Sequence, residues 1–399
     1  MKKVLSLDLK YSGIQMLYYG SFCALMGYAS VYLLDKGFSN SMIGISLALV
    51  SVIAVFAQPS VASFADKNQH IELRKIIAVI LAITVVLSAS MFLFGKGSIL
   101  LLIAFIGVST FMQTITPLLN SMAFVFEKHG IEINFGLGRG LGSAAYALVS
   151  MGLGYLVEDV GASILPLVYL IMNILLIIIT YTFVIPQDEN KKESKEEKEE
   201  KEEQLSFINF AKRYKKFMIF IFGLVLVYFT HTIINNFFIQ VITPIGGTES
   251  DMGTAVFLAA ILELPTMIFF NNIREKISCT KLIMIAVIAF ALKHTLTYFA
   301  TNITIIYIAQ ALQMVSYAIL TPASVYYANQ IISQADLVKG QSMITMAYTA
   351  SGIIANLAGG ILLDILGVKQ VLLLGIIVSI LGVVIVMLGV NDKKTVNQQ

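Results

Sequence analysis

Long apolar stretches, broken by short polar segments, run the length of the chain. A helix that crosses a membrane needs about 20 predominantly apolar residues. Twelve stretches meet that requirement. They predict transmembrane helices over 12–34, 41–64, 76–95, 98–124, 136–157, 163–185, 217–242, 252–271, 282–300, 303–330, 341–362 and 370–390. Several of these spans carry polar side chains, which helices facing only lipid avoid and helices lining a solute path need. The expected fold is all-α and polytopic.

Composition supports lipid as the solvent. Hydrophobic residues are 57% of the 399, charged residues 13%, and mean hydropathy is +0.83. A soluble domain is about a quarter charged. The start, Met1-Lys2-Lys3, leads toward a long apolar segment followed by many more, and so reads as a first transmembrane helix rather than a cleaved signal. Cys23 and Cys279 lie far apart and form no disulfide or metal pattern. The net charge of +3 is too small to suggest a nucleic-acid partner.

The placing of that charge sets an orientation, because loops facing the cytoplasm carry an excess of Lys and Arg. With the N-terminus inside and twelve spans, 22 of the 27 Lys and Arg fall in cytoplasmic segments. Lys36, Lys96 and Lys369 fall outside, and Arg139 and Lys293 fall within spans. The expectation is a multi-pass protein of a bacterial-type cytoplasmic membrane with both termini cytoplasmic.

The chain also divides in two. Gln187 to Glu203 is dense in Lys and Glu with no apolar side chain, and reads as a solvated tether. On either side the sequence repeats itself. Gly154-Tyr155-Leu156-Val157-Glu158-Asp159-Val160-Gly161 matches Gly360-Ile361-Leu362-Leu363-Asp364-Ile365-Leu366-Gly367 at an offset of 206. The same offset carries Phe64 and Asp66 to Phe270 and Asn272. The reading is a six-helix unit, 1–186, a charged linker, 187–211, and a second six-helix unit, 212–399. Two parallel six-helix halves are the arrangement of the major facilitator superfamily.

Particular residues strengthen that resemblance. Gln58-Pro59-Ser60-Val61-Ala62-Ser63-Phe64-Ala65-Asp66-Lys67, followed by Glu72-Leu73-Arg74-Lys75, resembles the superfamily's signature loop between its second and third helices. The turn has Ala62 and Ser63 where glycine is usual. The resemblance implies a conformational role for Asp66, Lys67 and Arg74. Within the superfamily, the chain resembles the galactoside permease and oligosaccharide:proton symporter branch and its nucleoside-symporter relatives. The stretches that carry this are Tyr32-Leu33-Leu34-Asp35-Lys36-Gly37-Phe38-Ser39, the Gln58-Pro59 motif, Asn134-Phe135-Gly136-Leu137-Gly138-Arg139-Gly140-Leu141-Gly142-Ser143, and Leu262-Glu263-Leu264-Pro265-Thr266-Met267. Departures bear on chemistry. Asn120 stands where the branch has a sugar-binding acid after Pro117. Gln313 and Ser316 stand where it has a His and a Glu of the proton relay, and its helix-nine arginine falls at or beside Lys293.

Charged side chains within spans narrow the site, since each costs a few kcal/mol unless it meets water or a partner. Arg139 offers a planar fork of donors for two hydroxyls or a carboxylate. It also lies close enough to its span's end to snorkel toward headgroups. Glu263 is the one carboxylate deep in a predicted span, suited to binding and releasing a proton or to contacting solute. Pro265 beside it is expected to open the helix locally. Lys293 is the expected ion partner of Glu263, and His294 titrates near physiological pH or bridges helices as a neutral ring. In the seventh span Tyr228, Thr232, Asn235 and Asn236 share one face, with His231 and Thr230 beside them. The expected substrate-binding residues are Arg139, Asn120, Glu263, His231, Asn235, Asn236, Gln313 and Tyr317. The expected proton-coupling residues are Glu263, Lys293 and His294.

These residues point to a transporter. The leading expectation is proton-coupled symport of a neutral polar solute, a sugar or oligosaccharide, by alternating access. A nucleoside is the second class and proton-driven efflux of drugs or metabolites the third. No nucleophile–base constellation, Walker loop or metal-binding pattern stands out, so neither an enzyme nor a cofactor is expected. The partners expected are the solute, protons and lipid, and the resemblance implies a monomer.

Overall fold

The computed structural model describes residues 2–68, 70–127, 131–184 and 206–390. Among them, eleven helices are long and apolar enough to cross a membrane, and one bent pair makes a twelfth span. In order they are span 1 (Leu7–Gly27 with Ala29–Asp35), span 2 (Asn40–Lys67), span 3 (Leu73–Leu93), span 4 (Ile99–Phe126), span 5 (Phe135–Val160) and span 6 (Ala162–Tyr181). Then follow span 7 (Lys215–Asn236), span 8 (Glu249–Ile268), span 9 (Cys279–Phe299), span 10 (Ile303–Ile331), span 11 (Gln334–Leu366) and span 12 (Val368–Gly389).

The ends of these helices follow local chemistry. Side chains of Ser39, Asn134, Ser278 and Asn302 each accept a backbone N–H three residues on, so they cap spans 2, 5, 9 and the start of 10. Thr248 and Asp251 close a reciprocal capping box at span 8. Apolar side chains on the outside, such as Val86, Leu93 and Ile365, remain more than two-thirds exposed. Surface of that kind is tolerated only against lipid or another apolar partner.

Several spans differ from the uninterrupted helices expected. Helix begins at Lys2, well before residue 12, because the polar start of the chain continues into the same helix. Span 1 then passes through a π-helical segment, Cys23–Gly27, and bends by 46° before Ala29. Span 4 breaks at Ile115, ahead of Pro117. Span 7 stops at Asn236 and a short helix, Phe238–Ile242, follows. Span 10 turns into a 3-10 segment at Leu312–Met314. The charged linker over 187–211 lies outside the described residues up to 205, and its last residues form a helix, Phe207–Arg213, capped by Ser206.

The chain forms two compact units, Met1–Glu197 and Lys198–Gln399. Their internal packing is alike. In the first, span 1 packs on spans 5 and 6, span 4 on spans 2 and 3, and span 3 on span 6. In the second, span 7 packs on 11 and 12, span 10 on 8 and 9, and span 9 on 12. The 206-residue offset recurs in the backbone. Gly161 and Gly367 end spans 5 and 11 with φ of +88° and +79°, values that favour a residue without a Cβ. Their N–H groups donate to Val157 and Leu363, again 206 apart. Pro59 and Pro265 lie inside spans 2 and 8 at the same spacing.

Candidate functional site

In the first unit the polar side chains gather where span 5 closes on span 1. Gly138 and Gly142, one turn apart, make the approach possible. A Cβ at Gly138 would stand 2.5 Å from the Tyr11 ring, and one at Gly142 would stand 2.6 Å from Tyr19. Between these glycines, Arg139 extends over Tyr19, with its guanidinium carbon 4.1 Å from the ring centroid. Its Nη1 donates to Ser143 Oγ at 2.8 Å. Among the described residues no carboxylate comes within 4 Å of it. The guanidinium is therefore held by a ring face and a hydroxyl, which together use only part of its set of N–H donors.

Beside it, Gln15 is fully buried in span 1. Its Nε2 donates to the Tyr11 hydroxyl at 2.8 Å and to Asn120 Oδ1 at 3.4 Å, while its Oε1 has no partner. The Tyr18 hydroxyl donates to the Met112 carbonyl at 3.0 Å and meets Thr116. Asn120, expected as a solute contact, is thus a neutral member of a chain of hydrogen bonds with Gln15 and Tyr11.

The second unit holds the interior charges. Lys293 is fully buried in span 9, and its Nζ donates to Gln313 Oε1 at 2.5 Å. The half-buried carboxylate of Glu263 in span 8 lies in the field of Lys293 without touching it. The direct Glu263–Lys293 ion pair expected from the sequence is not formed; the Lys293 ammonium donates to the amide of Gln313 instead. The 3-10 segment in span 10 carries Gln313. Span 8 continues through Pro265 and ends at Ile268 instead of opening beside Glu263.

The two histidines pack together. Asn235 donates to His231 Nε2 at 3.0 Å, and the His231 ring stacks on Tyr317 with centroids 5.8 Å apart. Phe290 meets it edge-on at 5.0 Å, and the His294 ring centroid is 6.4 Å away. His294 Nδ1 hydrogen-bonds Ser379 Oγ at 2.9 Å, so it faces span 12 while Lys293 faces span 10. His231 Nδ1 and His294 Nε2 are buried without partners. The polar face of span 7 differs from the one expected. Tyr228, His231 and Asn235 form it, whereas Thr230 donates to the Gly375 carbonyl of span 12 and Asn236 to Asn356 Oδ1 of span 11.

The loop after span 2 divides its expected residues. Asp66 and Lys67 are exposed in the last turn of that span. Arg74 donates to Glu72 Oε2 and to the Tyr181 carbonyl, both at 2.6 Å, and so ties the start of span 3 to the end of span 6. Lys75 pairs with Glu72 Oε1 at 2.7 Å. Hydrogen bonds from Arg74 and then Lys75 hold the Glu72 carboxyl down to about 2.

Two polar groups escaped the sequence reading. Gln15 is a lone amide in an apolar run, and only that isolation marked it. Asp336 lies in a segment read as a loop, yet it is buried and accepts hydrogen bonds from Tyr214 and Ser333.

Comparison with known proteins agrees with this architecture. The MFS_1 like family model matches residues 9–388. The chain is 23% identical to the uncharacterized transporter YwbF of Bacillus subtilis (strain 168), over 92% of this chain and 90% of that protein. It is 23% identical to the maltose permease of Geobacillus stearothermophilus, over 95% and 93%. In fold it resembles the crystal structure of the nucleoside transporter NupG, with a TM-score of 0.78 at 16% identity, over 97% of this chain and 98% of that one. Twelve spans in two like-packed units and a family match across nearly the whole chain make this protein a member of the MFS_1 like family, a transporter of the major facilitator superfamily.

Proposed function

We propose that the protein is a proton-coupled symporter that carries a small neutral polar solute by alternating access of its two six-helix halves. The observation that carries this reading is Glu263, a carboxylate within a membrane span that lies in the field of the buried Lys293. A carboxyl in that setting costs most when charged and unpaired, so gaining or losing a proton changes its bond to its neighbours. Such a group can report the protonation state to the rest of the unit. The remaining polar groups are mostly amides, hydroxyls and rings, as an uncharged solute requires. Arg139, Asn120, Gln15 and Tyr19 in one unit, and His231, Asn235 and Tyr317 in the other, are the proposed solute contacts. We place the protein in a bacterial-type cytoplasmic membrane with both termini inside, on the distribution of Lys and Arg, and as a monomer.

A sugar or oligosaccharide is the first solute class. Arg139 has donors for paired hydroxyls, and a maltose permease is among the relatives. A nucleoside is the second, favoured by the stacked His231 and Tyr317 rings and by the fold shared with a nucleoside transporter. Rings of that kind suit the face of a base.

The test is solute-driven proton movement in proteoliposomes over a panel of sugars, oligosaccharides and nucleosides. Alkalinisation outside on adding one solute, lost in Glu263→Gln and Arg139→Ala, is expected. Counterflow without proton movement would reduce the protein to a uniporter. Silence in both assays would favour efflux.

A further inference from the structure

We infer that the four cations leading into span 7, Lys212, Arg213, Lys215 and Lys216, form a site for the headgroup of an anionic phospholipid, with Ile219 and Phe222 receiving its acyl chain. The site is independent of the solute and of the symport reading.

The charge at this corner is unbalanced. Lys215 and Lys216 are exposed in the first turn of span 7, and Lys212 and Arg213 are exposed in the last turn of the short helix before it. The N-terminal end of a helix is its positive end, where acids are favoured and lysines are not. Span 3 meets the same difficulty, with Arg74 and Lys75 in its first turn, and Glu72 relieves it by pairing with both. Span 7 has no acid in its first turn, and its cap residue Tyr214 makes no side-chain capping bond. Among the described residues no carboxylate comes within 4 Å of any of the four cations. The Arg213 guanidinium carbon lies 5.6 Å from the centroid of the Tyr214 ring, which leaves its charge uncompensated.

The surface beside those cations is apolar and open. Residues 215, 219 and 222 share one face of span 7. Ile219 is 42% exposed and Phe222 56%, while Phe217, Phe220 and Leu224 on other faces are buried. Lys215 therefore stands at the head of an apolar stripe, with a stem long enough to lie along it and an ammonium that reaches outward. The short helix Phe207–Arg213 continues this two-sided character. Phe210 fixes it to span 7, with ring centroids 4.8 Å from Tyr214 and 6.3 Å from Phe217. Phe207 and Ile208 remain more than half exposed, and Lys212 lies one turn beyond Ile208. A short helix with exposed apolar side chains beside cations fits the boundary between headgroups and acyl chains.

These features select the ligand. A headgroup of net negative charge accepts from several of the cations at once. A zwitterionic headgroup brings its own ammonium, which the cluster repels. A soluble phosphate would meet the cations but leave the stripe uncovered. Basic clusters beside a span favour an anionic lipid surface by about fivefold in affinity per Lys or Arg.

The chain has no tryptophan, so Phe222→Trp places a single fluorescent reporter in the stripe. The full chain carrying it is reconstituted in bilayers of phosphatidylcholine and phosphatidylglycerol, with brominated acyl chains on one lipid or the other. Quenching gives the relative affinity of the two lipids at that position. A preference for phosphatidylglycerol of about tenfold or more is expected. It should fall to within about twofold on adding Lys212→Gln, Arg213→Gln, Lys215→Gln and Lys216→Gln, and also in about 1 M salt. The salt measurement needs no charge substitution, so it reads the site even if the fourfold variant folds poorly. Equal quenching by the two lipids would overturn the inference. A preference that survives the four substitutions or the salt would place the headgroup elsewhere and overturn it. A preference seen only with Glu202→Gln and Glu203→Gln would give the cations to the charged linker. Loss of the preference in inorganic phosphate at constant ionic strength would make this a site for a soluble anion. Either result overturns the lipid assignment.

Discussion

Gly142 faces Tyr19 so closely that a single methyl group on the glycine would stand 2.6 Å from Cδ2 of the ring and 3.2 Å from the Gln15 carbonyl. The missing side chain at Gly142 is what lets Arg139, less than one turn earlier, extend over the same ring. Gly142→Ala should therefore lower stability by about 1–3 kcal/mol, the usual cost of overpacking, and should weaken solute binding by moving Tyr19. Gly140 has no atom within 4 Å of where its Cβ would stand. Gly140→Ala should be neutral or stabilising by up to about 1 kcal/mol, as for an open helical position. Thermal unfolding in detergent of the two variants side by side separates these outcomes. Equal melting points would sink the packing argument.

Lys293 and Gln313 give a second contrast. Lys293→Met keeps the side-chain volume and removes a buried charge that touches no carboxylate. It should melt close to the wild-type temperature, because removing the desolvation cost of a buried ammonium offsets leaving the neutral Gln313 Oε1 without its donor. Gln313→Leu leaves the Lys293 ammonium without its acceptor. It should lose about 1–3 kcal/mol, the cost of stranding a buried polar group. A Lys293→Met protein less stable than Gln313→Leu would show that the lysine is compensated by something other than Gln313.

These residues also show what could be read from the sequence. Spans were legible because apolar length is a property of the chain itself. The duplication was legible at Gly161 and Gly367 because both need the same left-handed backbone. The bend after Cys23–Gly27 was not, since a π-helical segment leaves the apolar pattern unchanged. Glu263, Lys293 and Gln313 were each identified as interior polar residues. Which of them would touch was hidden, because sequence spacing gives the face of a helix but not its rotation against a neighbour. Asn236 was placed on a face with Tyr228, Thr232 and Asn235, and its bond to Asn356 of span 11 was hidden for the same reason. Asp336 was missed because its burial depends on Tyr214, more than a hundred residues away.

That tie has a counterpart in the first unit, and the pair makes a prediction. Asp8 Oδ1 accepts the backbone N–H of Asn134, joining the start of span 1 to that of span 5. At the position 206 residues on, Tyr214 accepts from the Ser333 backbone and donates to Asp336, joining the approach to span 7 to the start of span 11. The Asp8 bond is exposed and the Tyr214–Asp336 bond is buried. Tyr214→Phe should cost about 1–3 kcal/mol by leaving the Asp336 carboxylate under-satisfied, and Asp8→Ala less than about 1 kcal/mol. Hydrogen exchange at the first turns of spans 11 and 5 would check this directly. Protection should fall more in Tyr214→Phe than in Asp8→Ala.

The last prediction concerns pH and the loop that leads into span 3. Glu72 holds Arg74 and Lys75, and Arg74 also holds the Tyr181 carbonyl at the end of span 6. Its carboxyl is depressed from an ordinary 4.5 to about 2 by those two partners. A depressed acid stabilises the folded state above its unfolded value and loses that contribution as pH falls through the folded one. The melting difference between wild type and Glu72→Gln should therefore stay constant from neutral pH down to about 4.5, then narrow and close near pH 2. The carboxyl is largely exposed, so the difference itself should be small and should shrink in high salt. Arg74→Ala should erase most of it at neutral pH, because the larger of the two pulls on Glu72 is then gone. A difference that instead narrowed between pH 7 and 5 would mean that the Arg74 bridge does not hold Glu72 ionised.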